Sequence, residues 1–280
     1  MTELLNVKIN GAHPNRERPC PPCGFQPVGS VAMRLTVGVA LGITLGGCVG
    51  HAGGSPTQEA PQFLLFGEQH DQTDHQAQVA RNIAHQAQQH QLTAVVLEMA
   101  ERGHSTAGLP AEAPEIDVQQ RLHWQEAGWP WSSYGPVVMA AVRAGIPVVG
   151  GNLPKAEQKL AATESRLDHL VSPEVHSRLA QAVSTSHCQS LPAEAVTRMV
   201  RIQIARDDTM AQTLMAEAQQ GQVVLLAGEQ HVARDRGVPL HLMRRGVAPQ
   251  TVYSVGFNEG DGLLDERRPA HITPREDPCK

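Results

Sequence analysis

Two copies of one tetrapeptide carry the side chains best suited to chemistry. Gly67-Glu68-Gln69-His70 follows the apolar stretch Phe63-Leu64-Leu65-Phe66, and Gly228-Glu229-Gln230-His231 follows Val223-Val224-Leu225-Leu226-Ala227. A short apolar run that stops at glycine reads as a buried strand entering a loop. Each copy therefore sets a carboxylate and an imidazole just past the end of a core strand, and coincidence is the weaker explanation even with fourteen histidines in the chain. Two imidazoles with nearby carboxylates suit a divalent metal such as Zn, Mn or Co, which would turn a held water into a nucleophile. On that chemistry the ligands are His70, Glu68, Glu98, Glu229 and His231. His70, Glu68 and Glu98 are then the catalytic candidates of a metal-dependent hydrolase, peptidase-like or esterase-like. The spacing is not the helical HExxH of zinc proteases, because one residue separates Glu from His at a loop. The same residues can bind a polar ligand without metal, or cap and pack against the helices that follow. Haem is the other cofactor these residue types admit, since His and Tyr both serve as axial ligands. Of the two tyrosines, Tyr253 falls in a predicted strand and reads as core. Tyr134 follows Trp124, Trp129 and Trp131 in an irregular stretch and is the better ligand candidate, with packing on Trp131 as the alternative.

These side chains need a scaffold, and the apolar pattern supplies one. A strand over 62–66 is followed by an amphipathic helix over 71–90, with Ala77, Ala80, Ile83, Ala84 and Ala87 at helical spacing. A β-branched run from Thr93 to Leu97 then ends at Glu98. This strand–helix–strand unit marks a parallel sheet. His75 opens the helix beside Asp71 and Asp74, where acidic groups also complement the helix dipole. A short helix is expected over 116–126 and another over 136–144, leading to a strand over 147–150 that stops at Gly151-Asn152. Residues 154–190 read as a helical insertion. The longest helix, 193–219, carries Asp207 on an otherwise apolar side, where it needs a partner or faces a ligand. Strands over 222–227 and 251–255 complete the expected fold. That fold is α/β, with a mostly parallel central sheet of about five strands and helices on both faces. It occupies 62–257, with a C-terminal tail over 258–280. Ligands of open parallel sheets bind beyond the carboxyl ends of the strands, and Glu68, His70, Glu98, Asn152, Glu229 and His231 all stand there.

The net charge of −5 and the lack of a basic run argue against nucleic acid as a partner. Only 3% of residues are aromatic, so the core must be mostly aliphatic. Residues 33–47 read as a bacterial lipoprotein signal peptide. Met33-Arg34 gives a start and a charge, Leu35 to Leu45 is short and apolar, and Leu45-Gly46-Gly47 precedes Cys48. Cys48 is then the lipidated residue, and 48–61 a flexible tether rich in Gly, Ser and Pro. Residues 1–32 become a mis-assigned extension, with translation starting at Met33. The expected location is the bacterial cell envelope, anchored by lipid and facing periplasm or surface. In that oxidising setting Cys188 and Cys279 are left as a disulfide or as two free thiols.

From about Phe63 to Cys279 the chain resembles the ChaN-like haem-binding lipoproteins, a branch of the Tiki and erythromycin-esterase-like superfamily. The resemblance is carried by Gly67-Glu-Gln-His-Asp71 with His75, by Leu97-Glu98-Met99, and by Trp131 to Tyr134. It continues through Asn152-Leu-Pro-Lys155, His187-Cys188, Arg206-Asp-Asp-Thr-Met-Ala211, Gly228 to His231 and Asp277-Pro-Cys279. It implies an acylated envelope protein that binds haem for iron acquisition, held at a homodimer interface with a tyrosine on iron and a histidine near a propionate. The cofactor-binding candidates are then Tyr134, His70, His75, His231, Asn152 and Asp207. Hydrolytic branches of the superfamily keep an enzymatic role open as the alternative.

Overall fold

The computed structural model of the chain describes residues 60–89, 91–218, 221–274 and 279. The expected extension, signal segment, lipidated Cys48 and nearly all of the tether lie outside them. The first apolar run forms β1 (Phe63–Glu68), buried along its whole length. It leads through α1 (Thr73–Gln88) to β2 (Leu92–Glu101), then through α2 (Glu115–Arg121) and α3 (Trp131–Arg143) to β3 (Val148–Asn152). The insertion supplies α4 (Lys155–Ala161) and α5 (Pro173–Ser186), and the longest helix is α6 (Ala193–Glu217). The second apolar run forms β4 (Gln222–Gly228), followed by α7 (Glu229–Val232), α8 (Val238–Arg244), β5 (Val252–Phe257) and a short β6 (Glu266–Arg268). The six strands make one sheet in the order β3-β2-β4-β1-β5-β6, and every neighbouring pair is parallel.

Alternation along the strands divides the core into two layers. Leu64, Phe66, Val95, Leu97, Val224 and Leu226 face α1 and α3, whose Val79, Ile83, Val137, Val138 and Ala141 close that side. Phe63, Leu65, Ala94, Val96, Val223 and Leu225 face α6 and α8, against Met210, Leu214, Val238 and Leu242. Near-continuous apolar strands are what a sheet covered on both faces requires. The insertion has a small core of its own, in which Leu179 and Val183 of α5 meet Val200 and Ile204 of α6.

Three features depart from expectation. First, β1 runs through Gly67 and Glu68, pairing them with Ala227 and Gly228, and β2 runs through Glu98 to Glu101. Buried backbone groups need partners, so the ladder continues until it leaves the core; glycine alone does not end it. Second, the tail adds a sixth strand, with Val255, Gly256 and Phe257 pairing to Glu266, Arg267 and Arg268. Third, α3 begins at Trp131 and keeps Pro136 inside it. The tail also packs beside the first tetrapeptide, where Gln72 exchanges two hydrogen bonds with the Thr273 backbone and Asp74 accepts from His271 N. Cys188, just past α5, is disulfide-bonded to Cys279 with Cα atoms 5.4 Å apart.

Candidate functional site

The chain leaves β1 toward β2 and leaves β4 toward β5, with β1 and β4 adjacent. This is the strand-order reversal at which open α/β sheets form a crevice. The two tetrapeptides sit side by side there and pack into each other. Gly67 lies against Glu229 and Val232, leaving no room for a β-carbon. Gly228 lies beneath the His70 ring, where a β-carbon would stand 3.1 Å from Nε2.

The first motif makes a relay around one carboxylate. Glu68, 2% exposed, accepts from His70 Nδ1 at 2.7 Å, from the Tyr134 hydroxyl at 2.7 Å, and from Gln76 of α1. Burial works against the charged form of His70, yet the Glu68 and Glu98 carboxylates together more than offset it and raise the ring's pKa. The His70 side chain remains 42% exposed, and Nε2 makes no hydrogen bond to the described residues. Trp129 meets the ring edge-on at 4.8 Å between centroids. Tyr134 is 1% exposed; burial and the Glu68 charge raise its phenol far above the ordinary value.

The second motif is wired differently. Glu229 turns away to a two-pronged contact with Arg267, at 2.8 and 3.2 Å, while Gly260 leaves its carboxylate space. His231 holds Asp207 Oδ1 at 2.6 Å through Nδ1 and stands 3.5 Å from Glu98 Oε1 through Nε2. Burial opposes the imidazolium, but Glu98 and Asp207 push its pKa up to about 9. Glu98 also meets Arg206 and accepts from Gly228 N at 2.7 Å. Burial disfavours its charge, yet His231 and Arg206 hold it well below the usual carboxylate range. Asn152 completes this layer, donating to Glu98 O at 2.8 Å and accepting from Arg206 Nε at 2.9 Å.

Above both motifs lies a cavity of about 1050 Å³, at the large end for small-molecule sites. Glu68, His70, Glu98, Arg206, Asp207 and His231 form its polar floor. Its roof comes from the insertion, with Leu179, Ala182 and Val183 as the apolar wall and Arg178 at the rim. Arg178 reaches Asp235 at 2.9 Å, tying α5 to the segment after the second motif.

Most sequence-predicted residues thus converge, with three exceptions. Tyr134 is turned into the core behind Glu68 and does not line the cavity. His75 is buried and stacked on Phe257 at 4.5 Å, accepting from Gln69 N at 3.1 Å; it braces the loop after β1. Asn152 acts through Arg206. The five residues weighed as metal ligands are drawn to other partners: among the described residues no group of three or more His, Cys, Asp or Glu is arranged for a metal ion. Arg206 and the Gly228 amide occupy Glu98, and Arg267 occupies Glu229, so the carboxylates are already satisfied. Sequence reasoning missed Arg206, Arg178 and the apolar face of α5. Arg206 had two signals, its place in the Arg206-to-Ala211 stretch that carries the resemblance and its position beside Asp207 on the longest helix.

Residues 57–242 match the family described as haem-binding uptake, Tiki superfamily, ChaN. Among solved structures, ChaN of Campylobacter jejuni, described for its cofacial haem binding, aligns with a TM-score of 0.59 at 22% identity, over 72% of this chain and 83% of that one. An erythromycin esterase mutant in its open conformation aligns at 0.39 and 14% identity, over 72% and 71%. A Bacillus cereus protein aligns at 0.40 and 10%, over 71% and 66%. No curated protein sequence matches the chain.

Proposed function

The chain belongs to the haem-binding uptake family of the Tiki superfamily (ChaN), and from that premise we propose that it binds haem in the cavity above β1, β2 and β4. The observation that carries this reading is the cavity's two-sided chemistry. Haem joins an apolar macrocycle to two carboxylates and an iron, and it needs a greasy wall, cationic partners and an axial donor. Leu179, Ala182 and Val183 offer the wall, Arg178, Arg206 and Arg236 line the same space, and His70 presents an imidazole. When bound, haem would supply the iron centre; the chain's own residues enclose it and set its polarity.

The reading extends to a lipid-anchored protein of the bacterial cell envelope, tethered through Cys48, that stores or hands over haem during iron acquisition, as a homodimer around the ligand. Titrating the purified chain with haemin should give a saturable shift of the Soret band. Sedimentation of the loaded protein should show two chains. An unshifted Soret band would remove the haem reading, and a monomer that nonetheless binds haem would remove the dimer alone.

A further inference from the structure

We propose that the Cys188–Cys279 disulfide is a redox latch on the cavity: its reduction by a dithiol frees α5, the cavity's roof, and re-oxidation closes the roof again. The inference rests on the cavity and its walls, whatever ligand fills them. Roof and floor belong to distant parts of the chain. Helix α5 supplies Leu179, Ala182, Val183, Thr185 and Ser186 to the lining, while His70 and Asp71 line it from the loop after β1. Cys188 stands two residues beyond Ser186. The C-terminal tail is anchored on the floor side, where Thr273 is held by Gln72, the residue next to Asp71. It reaches the roof where Cys279 is bonded to Cys188. Cys279 follows Thr273 by six positions, a reach of at most about 20 Å even when fully extended. The tail is therefore a strap from floor to roof, and the disulfide is its buckle.

The other ties on α5 are slight. The Arg178–Asp235 pair is exposed on its arginine side, and ion pairs of that kind contribute little. The small core in which Leu179 and Val183 meet Val200 and Ile204 is separate from both layers of the main sheet. Elements with few buried apolar contacts open locally while the rest of a fold stays closed. The bond is also within reach of a reductant, because both cysteines are exposed. Cys188 and Gln189 follow the helix in the left-handed region, at φ 55° and 56°, where a β-carbon is disfavoured and glycine is usual. Exposed or strained disulfides are the readily reduced ones. A thiolate of the dithiol attacks one sulfur to form a mixed disulfide, and its second thiol resolves it. Cys188 and Cys279 together gain two electrons and two protons, and the reductant departs as its own disulfide.

Hydrogen–deuterium exchange of the folded chain, read by mass spectrometry with and without the dithiol dithiothreitol, tests the latch. Reduction should speed exchange of the α5 amides about tenfold and leave those of β1 and β4 unchanged, and re-oxidation should restore the slow rate. The chain has five cysteines, so Cys188→Ser combined with Cys279→Ser assigns the effect to this bond. The double variant should exchange fast in α5 with or without dithiothreitol. Amides of α5 that stay slow in the reduced chain would overturn the latch. So would β1 and β4 loosening together with α5, since the bond would then staple the whole fold. A disulfide that resists dithiothreitol until the chain unfolds would overturn it as well.

Discussion

Glu98 and His231 are each buried to a degree that neither could sustain alone. Taking an unpaired ion out of water costs several kcal/mol even after relaxation, and here Arg206, Asp207 and the Gly228 amide supply the opposite charge and the missing donor. The sequence makes part of this legible: Asp207 on an apolar helix side demands a partner. Which partner it takes depends on α6 packing beside α7, at the end of β4, and no local pattern encodes that. Arg206 beside an aspartate on a helix reads equally well as a solvated surface pair. The wiring has a pH signature. His231 has its pKa raised from 6.5 to about 9, so the stability it brings is full below about 6.5 and is lost as pH climbs through about 9. Glu98 is shifted down, so its contribution is present above about 4.5 and lost on acidification. The thermal midpoint should therefore be highest at about pH 5 to 6.5 and fall toward pH 9. His231→Gln should lower that plateau and flatten the alkaline limb; a wild-type midpoint that stays level from 6.5 to 9 would mean that the ring is not charged. Asp207→Ala, which strips the ring of its tightest partner, should cost about 3 kcal/mol in urea unfolding, and a loss below about 1 kcal/mol would show that water replaces the carboxylate.

At the scale of elements, strands were easier to read than their ends. The apolar runs located β1, β2 and β4, but the ladder's continuation through Gly67, Glu68 and Glu98 arises from neighbours distant in sequence. The three-residue β6, Glu-Arg-Arg, has no apolar residue to announce it. Helix α5 was visible only as part of an insertion, and its role as the cavity's apolar wall follows from packing on α6. Two ties hold it, the Arg178–Asp235 pair and the disulfide from Cys188 to Cys279, which spans 91 positions. Cross-links over long loops stabilise by limiting the unfolded chain, typically by about 2–4 kcal/mol. Cys188→Ser should lower stability by about that amount and make α5 the first site of limited proteolysis. An unchanged urea midpoint and cleavage pattern would mean that the Arg178 tie and the α5–α6 core suffice.

For the whole molecule, the parallel α/β architecture was legible because apolar strands alternate with amphipathic helices. The duplicated tetrapeptide pointed to the crevice in which its two copies meet. What it did not convey is that the two copies do different work, one exposing an imidazole and the other burying one. The proposed anchor also belongs to this scale, since it would fix where the domain operates. Labelling of cells with a palmitate analogue should tag the chain and be lost in Cys48→Ser; label that persists in the variant would remove the anchor.

The strand order also bears on how the chain is made. β1 is the first strand to leave the ribosome, yet its two neighbours are β4 and β5, and Phe63 meets Val223 about 160 residues later. At about 5–20 residues per second, that interval lasts roughly 10 to 30 s. Throughout it, an apolar segment with both edges bare has nothing to pair with, and such edges recruit other chains. The strand at the centre of the finished sheet is thus the one that spends longest in need of protection during synthesis.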